Sequence, residues 1–276
     1  MKKISILVMV ASLMFVSVAV GQEITQSAGP HNLEFGLMCY HFDYEEDLTP
    51  PLKSTEDGWL PGIYLGYVYQ KPDDLYTKVF IEFTDADTDY DGTTMAGIPV
   101  TGTTDNTFFR FEWDIGYTFD TQEGSSLCPY TGYGYRSWMR GLGGTAPYDE
   151  KYTWHYIPIG IKGDLELNDR WSVGANIAAR LMFGGEIAIY YSDIDPGYND
   201  PEVDLGDEIG WFFEFPVRYR FDSNWSFVGT PWYEYSEIGK SDETYLTYYG
   251  APVATVYEPA STTHQYGINF GVTYSF

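Results

Sequence analysis

Apolar and small polar side chains alternate through the last fifteen residues of the chain, 262–276. Counting back from Phe276 to Tyr266, every second residue is aromatic or aliphatic, and the residues between them are Ser, Thr, Gly, Asn and Gln. A period of two is that of a β-strand with one apolar face and one polar face. The segment therefore predicts a strand that separates an apolar surface from a polar one.

The same alternation marks nine further segments, and the connections between segments alternate in length. The ten predicted strands are 31–43, 59–70, 74–84, 106–119, 127–139, 152–165, 170–191, 208–221, 225–236 and 262–276. Short connections follow the even-numbered segments, and long ones follow the odd-numbered segments, at 44–58, 85–105, 140–151, 192–207 and 237–261. This alternation is typical of transmembrane up-and-down barrels, in which the short turns lie at the inner, periplasmic end and the long loops lie at the outer end. We therefore predict an all-β, antiparallel transmembrane β-barrel of about ten strands, or alternatively eight strands and one hairpin outside the membrane.

Aromatic residues recur at the strand ends beside the short connections, on the same parity as each apolar face. They are Tyr67, Tyr69, Tyr117, Phe119, Trp171, Tyr219, Phe221, Trp225, Tyr274 and Phe276. Aromatic girdles of this kind mark the boundary between lipid and water. Four prolines, Pro61, Pro158, Pro216 and Pro231, fall inside predicted strands and each removes a ladder hydrogen bond, so β-bulges are expected there.

The first residues of the chain have the composition of a secretion signal. Lys2 and Lys3 precede an apolar run over 4–20, and small residues at Ala19 and Gly21 suit a signal peptidase. We expect residues 1–21 to be a signal peptide and 22–276 to be a single barrel domain.

Several stretches resemble known outer-membrane proteins of Gram-negative bacteria. The terminal aromatic strand is similar to the closing strand of these barrels, which their assembly machinery reads. Five short stretches look like a widespread group of uncharacterised outer-membrane barrels: HNLEFG at 31–36, YEE at 44–46, DGW at 57–59, DYDG at 89–92 and PYTGYGYR at 129–136. The resemblance implies the cell outer membrane as the location. It also implies outer-membrane lipid, lipopolysaccharide and the assembly machinery as partners, and we expect a monomer.

Charge is distributed unevenly between the two faces of the predicted wall. The chain has 40 acidic and 15 basic residues, a formal charge of −25, which repels nucleic acid and excludes it as a partner. The inward positions nevertheless mix both signs: Glu34, Lys78, Glu82, Arg110, Glu112, Asp114, Arg136, Lys162, Asp164, Arg180, Glu186, Glu214, Arg218, Arg220 and Glu234. Because unpaired charge is costly in a narrow lumen, this set predicts a network of ion pairs that fills it.

One acidic stretch has the spacing of a calcium loop. Asp85, Asp87, Asp89 and Asp91 alternate with other residues and are followed by Gly92. An Asp-x-Asp-x-Asp-Gly run can wrap Ca²⁺, but the twelfth position of an EF-hand loop would be Ile98 in place of glutamate. A calcium site and a plain acidic turn both remain open.

Three functions fit these features. The first is a structural or surface-interaction protein with a charge-filled lumen and acidic outer loops, and the second is a narrow substrate-specific porin. The third is an outer-membrane enzyme, since ten strands and an Asp-x-Asp in the second outer loop resemble the omptin proteases. That resemblance implies that Asp85 and Asp87 would form the first catalytic pair. The fourth loop offers Asp193 and Asp195 but no histidine to complete the Asp–His dyad.

A lipid A hydrolase is a variant of the third function. His41 and His264 lie near the outer ends of neighbouring predicted strands, with outward parity, and Ser261 is close in sequence to His264. A serine activated by a histidine could attack an acyl ester. Catalysis stays an alternative, and the first function is our main prediction.

Overall fold

The computed structural model of the chain describes residues 29–94, 96–122, 124–143 and 147–276. The predicted signal peptide, 1–21, lies outside these ranges. The strands are β1 His31–Glu46, β2 Ser54–Tyr69, β3 Asp74–Thr93, β4 Pro99–Gln122, β5 Ser125–Leu142, β6 Tyr148–Glu166, β7 Trp171–Ile189, β8 Glu202–Leu205, β9 Ile209–Glu214, β10 Val217–Arg220, β11 Trp225–Ile238, β12 Thr244–Tyr248, β13 Ala251–Val256 and β14 Ser261–Ser275. A 3₁₀ turn covers Tyr191–Asp193. Within the described ranges, no helix is long and apolar enough to cross a membrane.

The strands close into an antiparallel barrel. Each of β1 to β7 pairs with the next, β7 pairs with β9 and β10, both of these pair with β11, and β14 joins β11 to β1. The first and last strands are held at the inner end by two backbone bonds between His31 and Phe276, of 2.9 and 3.2 Å. Because β9 and β10 occupy one position in the wall, the barrel has ten strands, and the predicted fold class is confirmed.

The predicted bulges at the four prolines are wrong. The strand pairs that contain them show interruptions in pairing without a shift of register. Pro216 separates β9 from β10, and its carbonyl still accepts from the Gly174 amide at 2.8 Å. The wall therefore accommodates a missing N–H by leaving a few positions of one ladder unpaired, which needs no extra residue.

A band of apolar side chains covers the outside of the barrel. Its exposed members include Leu33, Phe35, Leu37, Ile63, Leu65, Phe83, Ile115, Ile159, Ile177, Phe213 and Phe270. Trp171 and Phe276 lie at the inner edge of this band, and Trp59 and Tyr266 lie at its outer edge, all of them exposed. An apolar band between two aromatic girdles is the surface that lipid requires.

The barrel wall continues well beyond this band. β3 has 20 residues, so it is about 65 Å long at the usual rise, whereas the apolar band of such barrels is about 25 Å tall. Much of what the sequence predicted as the first three long outer loops is therefore strand, and the connections shrink to 47–53, 94–98 and 143–147. Two long outer connections remain, which we call the fourth outer loop (190–208) and the fifth outer loop (239–260). The fifth contains the separate hairpin β12–β13.

Candidate functional site

The inside of the barrel is arranged in layers along its axis. Alternation along the strands turns every second side chain inward, and all the predicted lumen charges except Glu186 follow that parity. From the inner end outward there are a polar vestibule, a middle ion-pair network, an aromatic layer and an outer acid cluster.

The middle network centres on Glu234, whose carboxylate lies between three arginines from three other strands. Arg180 donates to its Oε2 at 2.5 Å, Arg110 at 3.4 Å, and Arg136 contacts its Oε1. All four side chains are at least nine-tenths buried. Glu234 therefore ties β11 to β4, β5 and β7 through the middle of the lumen.

Two further carboxylates balance the three guanidinium groups. Glu82 lies 2.5 Å from Arg110, and Glu112 accepts from Arg180 at 2.8 Å and from the Tyr156 hydroxyl at 2.6 Å. Three acids thus face three bases. Buried ions of opposite sign in equal number avoid the large cost of an uncompensated charge, so this layer is a neutral, hydrogen-bonded plug.

The vestibule lies on the inner side of that plug. A cavity of about 370 Å³ opens at the inner end, and two smaller ones of about 60 and 10 Å³ continue from it to the middle network. Asp164 is the centre of its ionic contacts, with Lys162 at 3.2 Å and Arg218 at 3.3 Å. Gln70 bridges to both Asp164 and Lys162, at 3.1 and 2.9 Å.

The remaining predicted lumen charges line the same region less tightly. Lys78 lies 4.0 Å from Glu214, and Glu34 accepts from the Tyr64 hydroxyl at 2.9 Å. Arg220 reaches the backbone carbonyl of Asp169 at 3.4 Å. Asp114 is buried in the wall between them, and its Oδ1 makes no hydrogen bond in the described part of the chain. The vestibule is polar and open, in contrast with the packed plug.

Aromatic rings close the lumen on the outer side of the middle network. Phe42, Phe108 and Trp138 pack with ring centroids 5.2 to 5.5 Å apart, and Tyr152 stacks on Trp138 at 4.7 Å. The Trp138 indole N–H donates to Asn106 at 2.6 Å. Phe42, Trp138 and Tyr152 are buried and Phe108 is half-buried, so the rings form a packed apolar layer across this part of the lumen.

The outer acid cluster lies beyond the aromatic layer and outside the membrane-spanning segment. Among the described residues Arg140 is its one base, with Glu56 at 2.5 Å, Glu150 at 2.9 Å and Glu46 at 3.4 Å. Glu258 joins from the fifth outer loop and accepts from the hydroxyl of Tyr152 at 2.8 Å. Four buried carboxyl groups therefore share one guanidinium, an imbalance that the middle network does not have.

Burial decides the protonation of this cluster. Desolvation, together with the charge of Glu150, holds the pKa of Glu258 well above its ordinary value. Burial also raises the pKa of Glu150, despite the neighbouring charge of Arg140. A neutral Glu258 carboxyl can enter the cluster without adding charge. In that form it anchors the fifth outer loop over the mouth of the barrel.

Sequence reasoning missed the five charged members of the outer acid cluster because it assigned all of them to loops. Arg140 continues the inward parity of Trp138, and Glu150 continues that of Tyr152. Extending the alternation beyond the lipid boundary would have found both residues. Glu258 had no such signal, since it is held by a loop that folds back over the lumen.

Glu186 corrects one inward prediction. Gly184 has a φ of 57°, and the β6–β7 pairing shifts register at this point, so the parity of β7 changes by one residue. Ile187 faces the lumen and Glu186 faces outward. There a hydrogen bond with Glu202 raises the pKa of the Glu186 carboxyl. Alternation counted at a fixed period of two carries straight through a bulge, although the Gly184–Gly185 pair is a local sign of one.

The four aspartates of the proposed calcium loop lie on a strand. β3 runs through Asp85, Asp87, Asp89 and Asp91, and all four side chains are exposed on the outer face of the wall. The predicted wrapping turn is therefore wrong, because successive carboxylates on one face of a strand are about 7 Å apart. In the described part of the chain, no group of three or more acidic, His or Cys side chains is arranged to hold a metal ion. Calcium binding stays a prediction.

The positions proposed for an omptin-like site do not come together. Asp85 and Asp87 face away from the barrel mouth, on the outer surface of β3. Asp193 and Asp195 lie at the 3₁₀ turn of the fourth outer loop, where Asp195 accepts from the Tyr248 hydroxyl at 3.4 Å. No carboxylate pair for water activation forms across the mouth from these four residues.

The residues proposed for lipid A hydrolysis are also separated. Ser261 faces the interior and is buried, whereas His264, an odd number of residues away, faces outward and bonds the Tyr233 hydroxyl at 2.8 Å. His41 lies 3.1 Å from Asp57 and stacks on Tyr266. These outward histidines belong to the outer aromatic girdle.

The β12–β13 hairpin is the most exposed feature of the outer end. The Tyr249 side chain at its turn is 80% exposed, and those of Tyr245, Val253 and Tyr257 are exposed as well. The hairpin stands apart from the barrel sheet, and it rests on the fourth outer loop through a bridge between Tyr198 and Tyr248.

Comparison with known proteins supports the fold. No protein-family model matches the chain, and no curated protein sequence does. Among solved structures, the outer membrane protease OmpT of Escherichia coli superposes with a TM-score of 0.66 at 12% identity, over 91% of this chain and 99% of that one. Two other barrels overlap less well. OprG of Pseudomonas aeruginosa has a TM-score of 0.43 at 12% identity, over 92% of this chain and 99% of that one. The NalP translocator domain of Neisseria meningitidis has a TM-score of 0.44 at 8% identity, over 92% of this chain and 91% of that one.

The chain thus has the fold of an antiparallel outer-membrane β-barrel, and the apolar band between its aromatic girdles fits the predicted location in the cell outer membrane. At 12% identity the likeness to OmpT concerns the fold, and the proteolytic activity of that protein does not transfer with it. The layers of the lumen and the outer loops must therefore carry the functional argument.

Proposed function

We propose that this protein is a closed outer-membrane barrel with a structural or surface-interaction role and that it does not conduct solutes. The observation that carries the proposal is the middle network around Glu234, together with the aromatic layer of Phe42, Phe108 and Trp138. The two layers block the lumen in series. An ion would have to break several buried charge pairs and then displace packed rings to pass.

The outer end supports an interaction role. The barrel wall extends far beyond the apolar band, and it ends in two long loops, one of which presents the β12–β13 hairpin. Exposed apolar side chains that lie together in one patch mark interaction surfaces. A protein that only filled the membrane would not need this extension.

A narrow pore is the second candidate, favoured by the chain of cavities at the inner end. The vestibule of about 370 Å³ is followed by a cavity of about 60 Å³ lined by Lys78 and Glu214, so a small solute could enter the lumen from the inner side. Passage would then require the middle network to rearrange. The two candidates therefore differ in whether a conducting state exists.

Planar-bilayer recording of the refolded protein separates them. We expect no discrete conductance steps over the usual range of voltage and pH, with insertion verified by recovery of labelled protein from floated liposomes. Reproducible unitary steps, or swelling of proteoliposomes in small sugars, would overturn the closed-barrel proposal.

Surface display is tested on cells. An epitope inserted between Tyr249 and Gly250 should be detected by antibody on intact cells, because the turn projects from the outer end. A matched insertion after Asp222, in a short inner turn, should be detected only after lysis. Equal detection of both insertions would contradict the proposed orientation.

A further inference from the structure

The turn of the β12–β13 hairpin has an unusual residue. Tyr249 and Gly250 connect Tyr248 to Ala251, with φ angles of 47° and 81°. Two positive φ angles define a turn for which Asn-Gly is the favoured pair, and a bulky side chain at the first position is disfavoured. A residue keeps such a conformation when the contacts around it outweigh its own preference, as do the bond from the Tyr249 amide to Gly197 and the packing of its ring on Tyr248. The Tyr249 side chain is nevertheless 80% exposed.

The hairpin is held firmly in place. Asn199 of the fourth outer loop accepts from the Thr247 amide at 2.6 Å and donates to the Tyr245 carbonyl at 3.3 Å. The Tyr249 amide donates to the Gly197 carbonyl at 2.7 Å, and the ring of Tyr198 packs on that of Tyr248. A fixed hairpin presents its rings with little entropy left to lose, which favours binding.

The free edge of the hairpin is poorly suited to pairing with another strand. The pair beside a two-residue turn, Tyr248 and Ala251, is hydrogen-bonded, so the next residue, Pro252, directs its backbone toward the edge. Proline has no N–H to offer, and the pairing shifts register just beyond it. Recognition at this surface therefore depends on side chains.

The negative charge of the fourth and fifth outer loops favours a positively charged partner. Together, 190–208 and 239–260 contain ten acidic residues and one basic residue, Lys240. That single base already shows what the tyrosines accept, because its Nζ lies 4.1 Å above the ring of Tyr257. Cations bind the faces of aromatic rings, and guanidinium groups do so most often.

We propose that the fifth outer loop, through Tyr245, Tyr249 and Tyr257, docks a cationic polypeptide segment rich in arginine. The rings receive the guanidinium groups, and the acids of the fourth outer loop supply the long-range attraction. This inference deepens the surface-interaction role proposed above and rests on it.

The test is direct binding to the full-length protein, refolded in nanodiscs of zwitterionic phosphatidylcholine. Fluorescence anisotropy of a labelled nine-residue oligoarginine should give saturable binding that weakens as salt is raised. Oligolysine should bind more weakly, and oligoglutamate should not bind.

Variants separate the rings from the general charge. Tyr249→Asn creates the favoured Asn-Gly turn, so it should keep the hairpin folded while weakening oligoarginine binding about 2- to 5-fold, the range for an exposed cation–π contact. Tyr245→Ser should act likewise. Ile98→Ser removes an exposed apolar side chain from a different outer connection and should leave binding unchanged.

Three outcomes would overturn the inference. They are wild-type affinity in the Tyr245→Ser/Tyr249→Asn double variant, equal binding of oligoarginine and oligolysine, and tighter binding of a neutral saccharide than of either peptide. Unitary conductance in a bilayer would remove the closed-barrel proposal but would leave the peptide-binding result intact, so the two failures are distinguishable.

Discussion

Arg180 on β7 and Glu234 on β11 meet in the middle of the barrel, with 2.5 Å between Nη1 and Oε2. The two residues are 54 positions apart in the chain, and their strands, β7 and β11, do not pair with each other. One wall position, filled by β9 and β10, separates β7 from β11, so the contact braces the wall from inside in addition to its backbone ladders. Its strength depends on the equal number of carboxylates and guanidinium groups in the middle network.

Removal of the Glu234 charge should destabilise the barrel strongly. Glu234→Gln leaves three buried guanidinium groups against two carboxylates, and breaking a buried pair in this way costs about 3–5 kcal/mol. The free energy of unfolding, measured by urea titration in detergent, should fall by that amount. The matched change Glu45→Gln lies on the exposed outer face of β1 and should cost less than about 0.5 kcal/mol. Equal unfolding midpoints for the two variants would show that the network does not brace the wall.

The outer acid cluster should make the outer end less stable as pH rises. The pKa of Glu258 in the fold is above its ordinary value of 4.5, so the folded protein holds this proton more tightly than the unfolded chain does. Its contribution to stability is therefore complete below about pH 4.5 and is lost as pH rises through the raised pKa. Melting temperatures recorded between pH 4 and pH 9 should fall accordingly.

Glu258→Gln is the control for that effect. Glutamine mimics the neutral carboxyl and can still accept from the Tyr152 hydroxyl, so this variant should match the wild type at acid pH and show a smaller fall as pH rises. Glu150, whose pKa is also raised, accounts for the fall that is left. If the wild type and Glu258→Gln give parallel curves of melting temperature against pH, then Glu258 does not titrate in this range.

The bulge at Gly184 makes a prediction about accessibility. In a background with Cys39 and Cys128 replaced by serine, Glu186→Cys should react rapidly with a membrane-impermeant maleimide on intact cells. Ile187→Cys should be protected, because its side chain is fully buried in the lumen. The opposite pattern would restore the simple alternation through β7 and remove the bulge.

Calcium should relieve repulsion among the aspartates above the lipid. Asp57 and Asp89 lie directly opposite each other on β2 and β3, and like charges at such positions destabilise a sheet. We expect Ca²⁺ to raise the melting temperature by about 1–3 °C relative to sodium at equal ionic strength. Asp89→Asn should lose most of the rise. Identical shifts in both proteins would end the calcium proposal.

Much of the fold could be predicted from local patterns. Alternation identified all ten wall strands, because a strand between lipid and a polar lumen has its two faces specified at every second residue. The same parity placed Arg110, Arg136, Arg180 and Glu234 inside, although it could not say which of them touch. Contacts between distant strands depend on the register and closure of the barrel, and no local pattern contains those.

The outer end was less predictable. Beyond the lipid both faces of the wall meet water or protein, so the apolar signal disappears while the strands continue, and β3 and β4 were cut short in the prediction for that reason. The positive φ angles of Gly184 and Tyr249 were not predicted either, since each depends on what the neighbouring chain allows.

The sequence alone thus determined that this chain is a membrane-spanning β-barrel with a charged interior, because lipid imposes its demand on each strand separately. Only the tertiary structure decided that the interior charges balance in the middle and not at the outer end. It also decided that a loop carboxyl closes the outer cluster and that a tyrosine turn projects from the surface. Those outcomes depend on side chains brought together from far along the chain, where the energy of each group is set by neighbours that the local sequence does not specify.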